Sequence, residues 1–202
     1  MWEDVRVVTR SRDEPATATR IVDVAERLVQ TRGFNGFSYA DIASELGVRK
    51  ASLHYHFPSK ADLGKTLIVR YAERFVAALA EIDGTGLAPR AALEAYVSLY
   101  RTVLQGNRMC LCGILAAEHQ TLPDPMRESL TRFFDDNETW LATVLGRGQA
   151  DGTIFFEGSA ADTARLILNG LEGAMLVARA SDDISRFEST TRSLLTGISA
   201  AR

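Results

Sequence analysis

Cysteine is almost missing from this chain: two of 202 residues, at positions 110 and 112, too close together to staple a fold. A disulfide framework is thereby excluded, and a reducing compartment, the cytoplasm, is the expected location. No apolar run approaches the roughly 20 residues that span a bilayer. The opening residues, Met1 to Arg6, hold no hydrophobic stretch before a cleavage site, so neither a secretory signal nor a membrane partner is expected. No segment sustains the alternation of a β-strand; Thr153-Ile154-Phe155-Phe156 makes at most a brief extended piece. Repeats and low-complexity tracts are absent too. The net charge is only −3, which argues against a nonspecific DNA coat. That average conceals a split. Residues 1–60 carry nine Lys/Arg against eight Asp/Glu plus two histidines, whereas residues 61–202 carry 14 against 18.

What remains is a globular, helix-forming chain with 46% hydrophobic residues, long enough to hide roughly 70% of its unfolded surface. Residues 1–15 form a polar arm, in which Arg6, Arg10 and Arg12 either reach a minor groove or are simply solvated. A first helix is predicted from Thr17 to Arg32, its inward stripe made of Ile21, Val24, Ala25, Leu28 and Val29, with Gly33 as its stop. A long helix runs from Ser59 to about Ile82. Further helices cover Pro89–Gln105, Cys110–Gln120, Met126–Ala150, Ser159–Arg179 and Ile184–Ser199. The expected fold is all-α with about nine helices. A small N-terminal helical bundle over 16–60 precedes a larger helical domain over 61–202.

The densest information lies in residues 38–60. Ser38 with Asp41 has capping-box spacing, and Ile42, Ala43 and Leu46 share one helical face. Gly47 suits the left-handed conformation that reverses the chain. Val48 and Leu53 then point inward, which leaves Arg49, Lys50, Ser52, Tyr55 and His56 outward or at the rim. Pro58 ends this second helix, and Ser59 with Asp62 caps the next. Helix, glycine turn and a short helix with a basic, hydroxylated face make a helix-turn-helix that reads DNA. Arg49 and Lys50 suit guanine edges or phosphates. Ser52, Tyr55, His56 and Lys60 suit phosphate oxygens, which fix register rather than sequence.

Thr19 to Val29, Arg32 to Ser38, Asp41 to Val48 and Leu53 to Lys60 together resemble the N-terminal domain of TetR-type transcriptional regulators, a likeness covering residues 17–75. The resemblance implies a dimeric, all-helical regulator whose head binds a palindromic operator in double-stranded DNA and whose C-terminal domain holds an effector. It puts Tyr39 and Ala40 at contacts of the support helix. Lys50, Ala51 and Ser52 fall at the start of the reading helix, and Tyr55, His56 and Lys60 at the backbone. His54 stands where the family most often has tyrosine, which implies a shorter, titratable contact. Arg49 replaces the usual small hydroxyl cap, giving up a cap worth roughly 1 kcal/mol. The last two helices, with Gly170, Gly173 and Ala174, are expected to pair two subunits through four helices.

A second motif, Cys110-Leu111-Cys112-Gly113-Ile114-Leu115-Ala116-Ala117-Glu118, resembles the sixth-helix region of a TetR subgroup, some members of which respond to electrophiles through the first cysteine. Residues i and i+2 of a helix project about 200° apart, so Cys110 and Cys112 do not pair there or share a metal. Cys112 and His119 share a face but lie about 10 Å apart along the axis. No metal or cofactor is expected. Arg108 beside Cys110 predicts a lowered thiol pKa; alternatively both cysteines are buried packing, or a cysteine lines a ligand pocket. Tyr96, Tyr100, Phe133, Asn137, Trp140 and Met175 are candidate pocket walls, or core. Arg101 and His119 are candidates for holding an acidic effector. The expected function is an effector-released or thiol-released repressor, its signal carried by the helix from Ser59. The rivals are a cysteine-dependent enzyme and an activator or partner-dependent regulator with the same head.

Overall fold

A computed structural model describes residues 14–198. Most of the expected arm, including Arg6, Arg10 and Arg12, lies outside the described residues, as do residues 199–202. Nine α-helices make up the described chain: α1 (Glu14–Arg32), α2 (Tyr39–Leu46), α3 (Lys50–His56), α4 (Lys60–Gly84), α5 (Pro89–Gln105), α6 (Leu111–Ala117), α7 (Asp124–Ala150), α8 (Ala160–Ala180) and α9 (Ile184–Thr196). A single 3₁₀ turn, His119–Thr121, separates α6 from α7, which shortens the expected sixth helix. Helix α1 begins at Glu14, three residues before the expected Thr17, because Pro15 fits a first turn where no N–H is needed.

Local chemistry sets the ends of these helices. The Asp41 carboxylate accepts from both the N–H and the Oγ of Ser38, each at 2.7 Å. At α4 the Asp62 N–H donates to Ser59 Oγ at 3.1 Å, while Ser59 N–H donates back to the Asp62 carboxylate at 3.1 Å. At α8 the Asp162 N–H donates to Ser159 Oγ at 3.0 Å, and that hydroxyl donates to the Asp162 carboxylate at 2.7 Å. Gly47 turns the chain at φ 67°, where a side chain would be strained.

Helices α1 to α3 close on Ile21, Ala25, Val29, Ile42 and Leu53, all without exposed surface. The larger domain packs α4, α5, α7 and α8 around Tyr96, Tyr100, Phe133, Leu141, Leu171 and Met175, with α6 above and α9 against α8. One expectation about small residues needs correcting. Gly170 does not await a partner: its missing side chain accommodates Leu194 of α9 in the same chain, and Ala174 is buried. Only Gly173 faces open space. As expected, residues 153–156 form no strand; Ile154 folds back onto Gly148, its N–H donating to that carbonyl at 2.9 Å.

Candidate nucleic-acid interface and interior polar cluster

Helix α3 is seven residues long, too short to persist alone. It is held by its one fully buried side chain, Leu53, whose burial is worth roughly 1.5–3 kcal/mol, and by Tyr39. The Tyr39 hydroxyl donates to the carbonyls of Phe57 (2.9 Å) and Ser59 (2.7 Å), pinning the α3–α4 junction to α2. Its ring lies 4.8 Å from that of His54, and burial, reinforced by Asp62, pushes its pKa up to about 12. Tyr39 is therefore an internal pin, not an outward contact: a buried hydroxyl finds its partners inside. Ser38 and Ala40 are exposed beside it, with the Ser38 donors taken by Asp41.

Arg49, Lys50, Ala51, His54 and Tyr55 form the exposed face of α3, with Ser52 and His56 half-buried at its rim. Tyr55 is 70% exposed, and its ring meets that of His56 edge-on at 5.2 Å. His54 Nδ1 lies 3.4 Å from the Pro58 carbonyl. Arg49 starts the helix without a side-chain cap. Lys60 departs from expectation. Its ammonium donates to the carbonyls of Phe34 (2.5 Å) and Phe37, and rests over both rings. Burial lowers its pKa against the pull of Glu118 and Asp41. Those carbonyls end the α1–α2 turn, so the ammonium is spent inside the head and is not presented outward.

Besides a 3.5 Å hydrogen bond from Arg179 of α8 to the Thr31 carbonyl of α1, three fastenings join the head to the rest. Glu26 of α1 accepts from Arg70 (2.8 Å) and Arg74 of α4, and Arg70 also pairs with Asp23 at 2.7 Å. Gln30 exchanges two hydrogen bonds of 3.1 Å with the backbone of Met109, just before α6. Beyond the other end of α6, the Glu118 carboxylate accepts from Asn35 N–H (3.1 Å) and Nδ2 (3.0 Å), and Asn35 Nδ2 also donates to Thr121 Oγ1 at 2.8 Å. Gly33, at φ 81°, leaves room for that carboxylate. Helix α6 is thus tied to the head at both ends, a connection the sequence reading had given to α4 alone.

The inner face of α6 meets a polar cluster within the aromatic core. Cys110 and Cys112 are free and buried. The Tyr71 hydroxyl donates to Cys110 Sγ at 3.7 Å. The Tyr96 hydroxyl donates to Asn137 Oδ1 (2.9 Å) and lies 3.2 Å from that of Tyr100, while Asn137 Nδ2 donates to the Phe133 carbonyl at 2.7 Å. Phe75 packs edge-on against Tyr96, Tyr100 and Phe133 at 5.3–5.9 Å. Trp140 stacks on Tyr96 and donates to Asp83 at 2.9 Å. Met175 is fully buried nearby.

The expected activation of Cys110 is reversed. Burial, then the charge of Glu172, pushes its pKa well above the ordinary thiol value, and Arg108 is exposed rather than beside it. Cys112 is raised likewise by burial. Arg101 and His119 do not join the cluster. Arg101 is half-buried, 3.4 Å from Ser98 Oγ and facing α9; His119 is exposed in the 3₁₀ turn. The charged group actually present is one the sequence reading missed, Glu172 on α8. Its carboxylate oxygens are shut from solvent and face no cationic partner; the Cys110 thiol is the donor beside them. They occupy the space that a side chain on Gly113 would fill, and burial pushes the pKa up to about 7, with Cys110 pulling the other way. The signal was there: Glu172 stands four residues after Leu168 and three before Met175, on the buried stripe of its helix.

This geometry agrees with two family matches. The family described as bacterial regulatory proteins, tetR family, matches residues 21–65, and the tetracyclin repressor-like C-terminal domain matches residues 86–194. The chain belongs to the TetR family. The transcriptional regulator AcuR of Cereibacter sphaeroides is 29% identical over 153 residues, covering 73% of this chain and 69% of that protein. The HTH-type transcriptional repressor KstR2 of Rhodococcus jostii is 32% identical over 142 residues, covering 67% of this chain and 66% of that protein. A crystal structure of a TetR-family regulator from Agrobacterium tumefaciens superposes with a TM-score of 0.90 at 35% identity, over 93% of this chain and 100% of that one. This TetR-family chain is accordingly a DNA-binding transcriptional regulator and not an enzyme. Among the described residues, no helix is long and apolar enough to cross a membrane.

Proposed function

We propose that the protein is a homodimeric repressor that holds a palindromic operator in the cytoplasm and lets go when a small effector enters its body. The head covers residues 16–60 and the sensing and pairing domain residues 61–202. The observation that carries this reading is the double fastening of α6: tied to the head at Met109 and Glu118, it lays Cys110 and Gly113 against the interior cluster. A ligand that displaces those side chains favours a different placing of α6, and hence of the head. Such a shift needs only unequal affinity for the two placings. A small ligand is favoured over thiol attack as the trigger, because the Cys110 thiol is buried and held protonated.

On the reading face, Arg49, Lys50 and Ser52 meet base edges or adjacent phosphates while His54, Tyr55 and His56 reach the backbone. Lys60 and Tyr39 act indirectly, by holding α3 in place. Pairing uses α8 and α9: Leu166, Leu176 and Val177 are 49–62% exposed, at helical spacing on the side of α8 where Gly173 is open. A two-fold axis there sets two α3 helices about 34–36 Å apart, one turn of duplex. Sedimentation with a palindromic duplex tests this. One dimer per duplex, with affinity falling steeply as salt rises, is the expected result. A monomer, or salt-independent binding, contradicts it. Leu176→Asp is expected to abolish both pairing and operator binding.

A further inference from the structure

The charged atoms of Glu172 are enclosed by the side chains of the body, yet no arginine, lysine or histidine among the described residues pairs with them. Its neighbours are a thiol, Cys110, and three tyrosines, Tyr71, Tyr96 and Tyr100, whose titration its charge opposes. A carboxylate in such surroundings is costly unless something compensates it. The chain could have answered it with an arginine, as it answers Glu26, or replaced it by leucine like the neighbouring stripe. Instead, Gly113 omits the side chain that would fill its place.

We propose that Glu172 is the anionic end of a binding site for a small organic cation, an ammonium or amidinium group carried on an apolar body. The cationic head sits against the carboxylate, and the body lies along the rings of Phe75, Tyr96 and Tyr100, whose negative faces attract cations. Coulomb attraction in a desolvated interior favours this charge sign strongly, and an anionic ligand meets repulsion. This reverses the acidic effector that Arg101 and His119 had suggested.

The route in is a groove of about 530 Å³ between α4 and α7, lined by Ala72, Phe75, Val76, Asp136, Asn137 and Trp140, with Asp83 at its end. Asp136 puts a carboxylate on its rim, whereas Asp83 is already occupied by Arg147 and Trp140. Phe75 lines the groove and touches both Tyr96 and Tyr100. Being half-buried, unlike those tyrosines, it is the ring whose rotation opens the interior. Inside, a hydrogen-bond chain runs from Asn137 to Tyr96 and Tyr100, the two rings that feel the Glu172 charge. The site deepens the proposed effector reading, and only its effect on DNA rests on that reading.

The test uses the purified full chain with three ligands of like shape: benzylamine, benzyl alcohol and benzoate. Calorimetry and thermal unfolding at pH 8 read binding. Benzylamine is expected to bind saturably and at least tenfold more tightly than either of the others, and Glu172→Gln to lose at least tenfold of that affinity. In the unaltered protein, affinity for benzylamine should rise with pH through about 7 and then level off. That follows because the carboxylate ionises there, while Cys110, Cys112, Tyr71, Tyr96 and Tyr100 stay protonated. This measurement needs no variant to fold. Equal binding of alcohol or benzoate, unchanged affinity in Glu172→Gln, or no binding of benzylamine overturns the site. Binding without release of operator DNA leaves the site standing and overturns the effector reading instead.

Discussion

Glu26 on α1 and Glu172 on α8 both carry a carboxylate inward, and their surroundings could hardly differ more. Glu26 lies where the head meets α4, and two arginines from that helix close on it. Glu172 lies in the aromatic body with a thiol for a neighbour and no counter-charge. At the head and its junction the buried acid is paired and the donors of Tyr39, Lys60, Gln30 and Asn35 reach carbonyls or carboxylates, although Gln30 Oε1 and Arg70 Nε stay without a partner. In the body one charge is left open. Burial alone therefore does not distinguish a structural acid from a receptive one; the counter-charge does.

The largest effect expected from this contrast is on stability against pH. Glu172 ionises near 4.5 when unfolded and at about 7 when folded. Between those values the native state binds the extra proton, so stability falls as pH rises and is lowest above about pH 7. The penalty is about 3 kcal/mol, and Glu172→Gln should remove it. Urea unfolding of both proteins at pH 5 and pH 8 reads the difference; parallel pH profiles would erase the contrast. Glu26→Gln should act in the opposite sense, destabilising at neutral pH by about 2 kcal/mol, a breaking cost discounted because Arg74 is half exposed. Tyr39→Phe should cost about 1–2 kcal/mol for two lost hydrogen bonds. It should weaken all DNA sequences alike in a binding assay, since it loosens α3 without altering its reading face. Asn35→Ala should change operator affinity little, but weaken the coupling between effector and DNA by about 0.5–1 kcal/mol, read as effector titrations of the bound complex.

The helix order was legible because local chemistry writes it. Ser38/Asp41, Ser59/Asp62 and Ser159/Asp162 cap, Gly47 reverses and Pro89 starts, each within four residues of sequence. The family was legible from the same stretch. Tyr39 and Lys60 were not, because long side chains with polar tips choose between solvent and a carbonyl supplied from elsewhere in the fold. Only packing decides that. Cys110 misled for a related reason. A helix start beside Arg108 suggests positive potential, but burial raises the thiol pKa first, and the neighbouring Glu172, 62 positions on in sequence, adds to it. Glu172 itself was readable as an acid on a buried stripe, though its lack of a partner was not.

Operator recognition rests most heavily on α3 as a rigidly seated reading helix, and Lys50→Ala tests that most directly. Competition by anisotropy should show the unaltered dimer preferring its selected palindrome to random duplex by about a thousandfold or more. In Lys50→Ala that preference should shrink by about 1–3 kcal/mol at one base position, with folding unchanged. An unaltered preference in the variant, or none in the original protein, would contradict it.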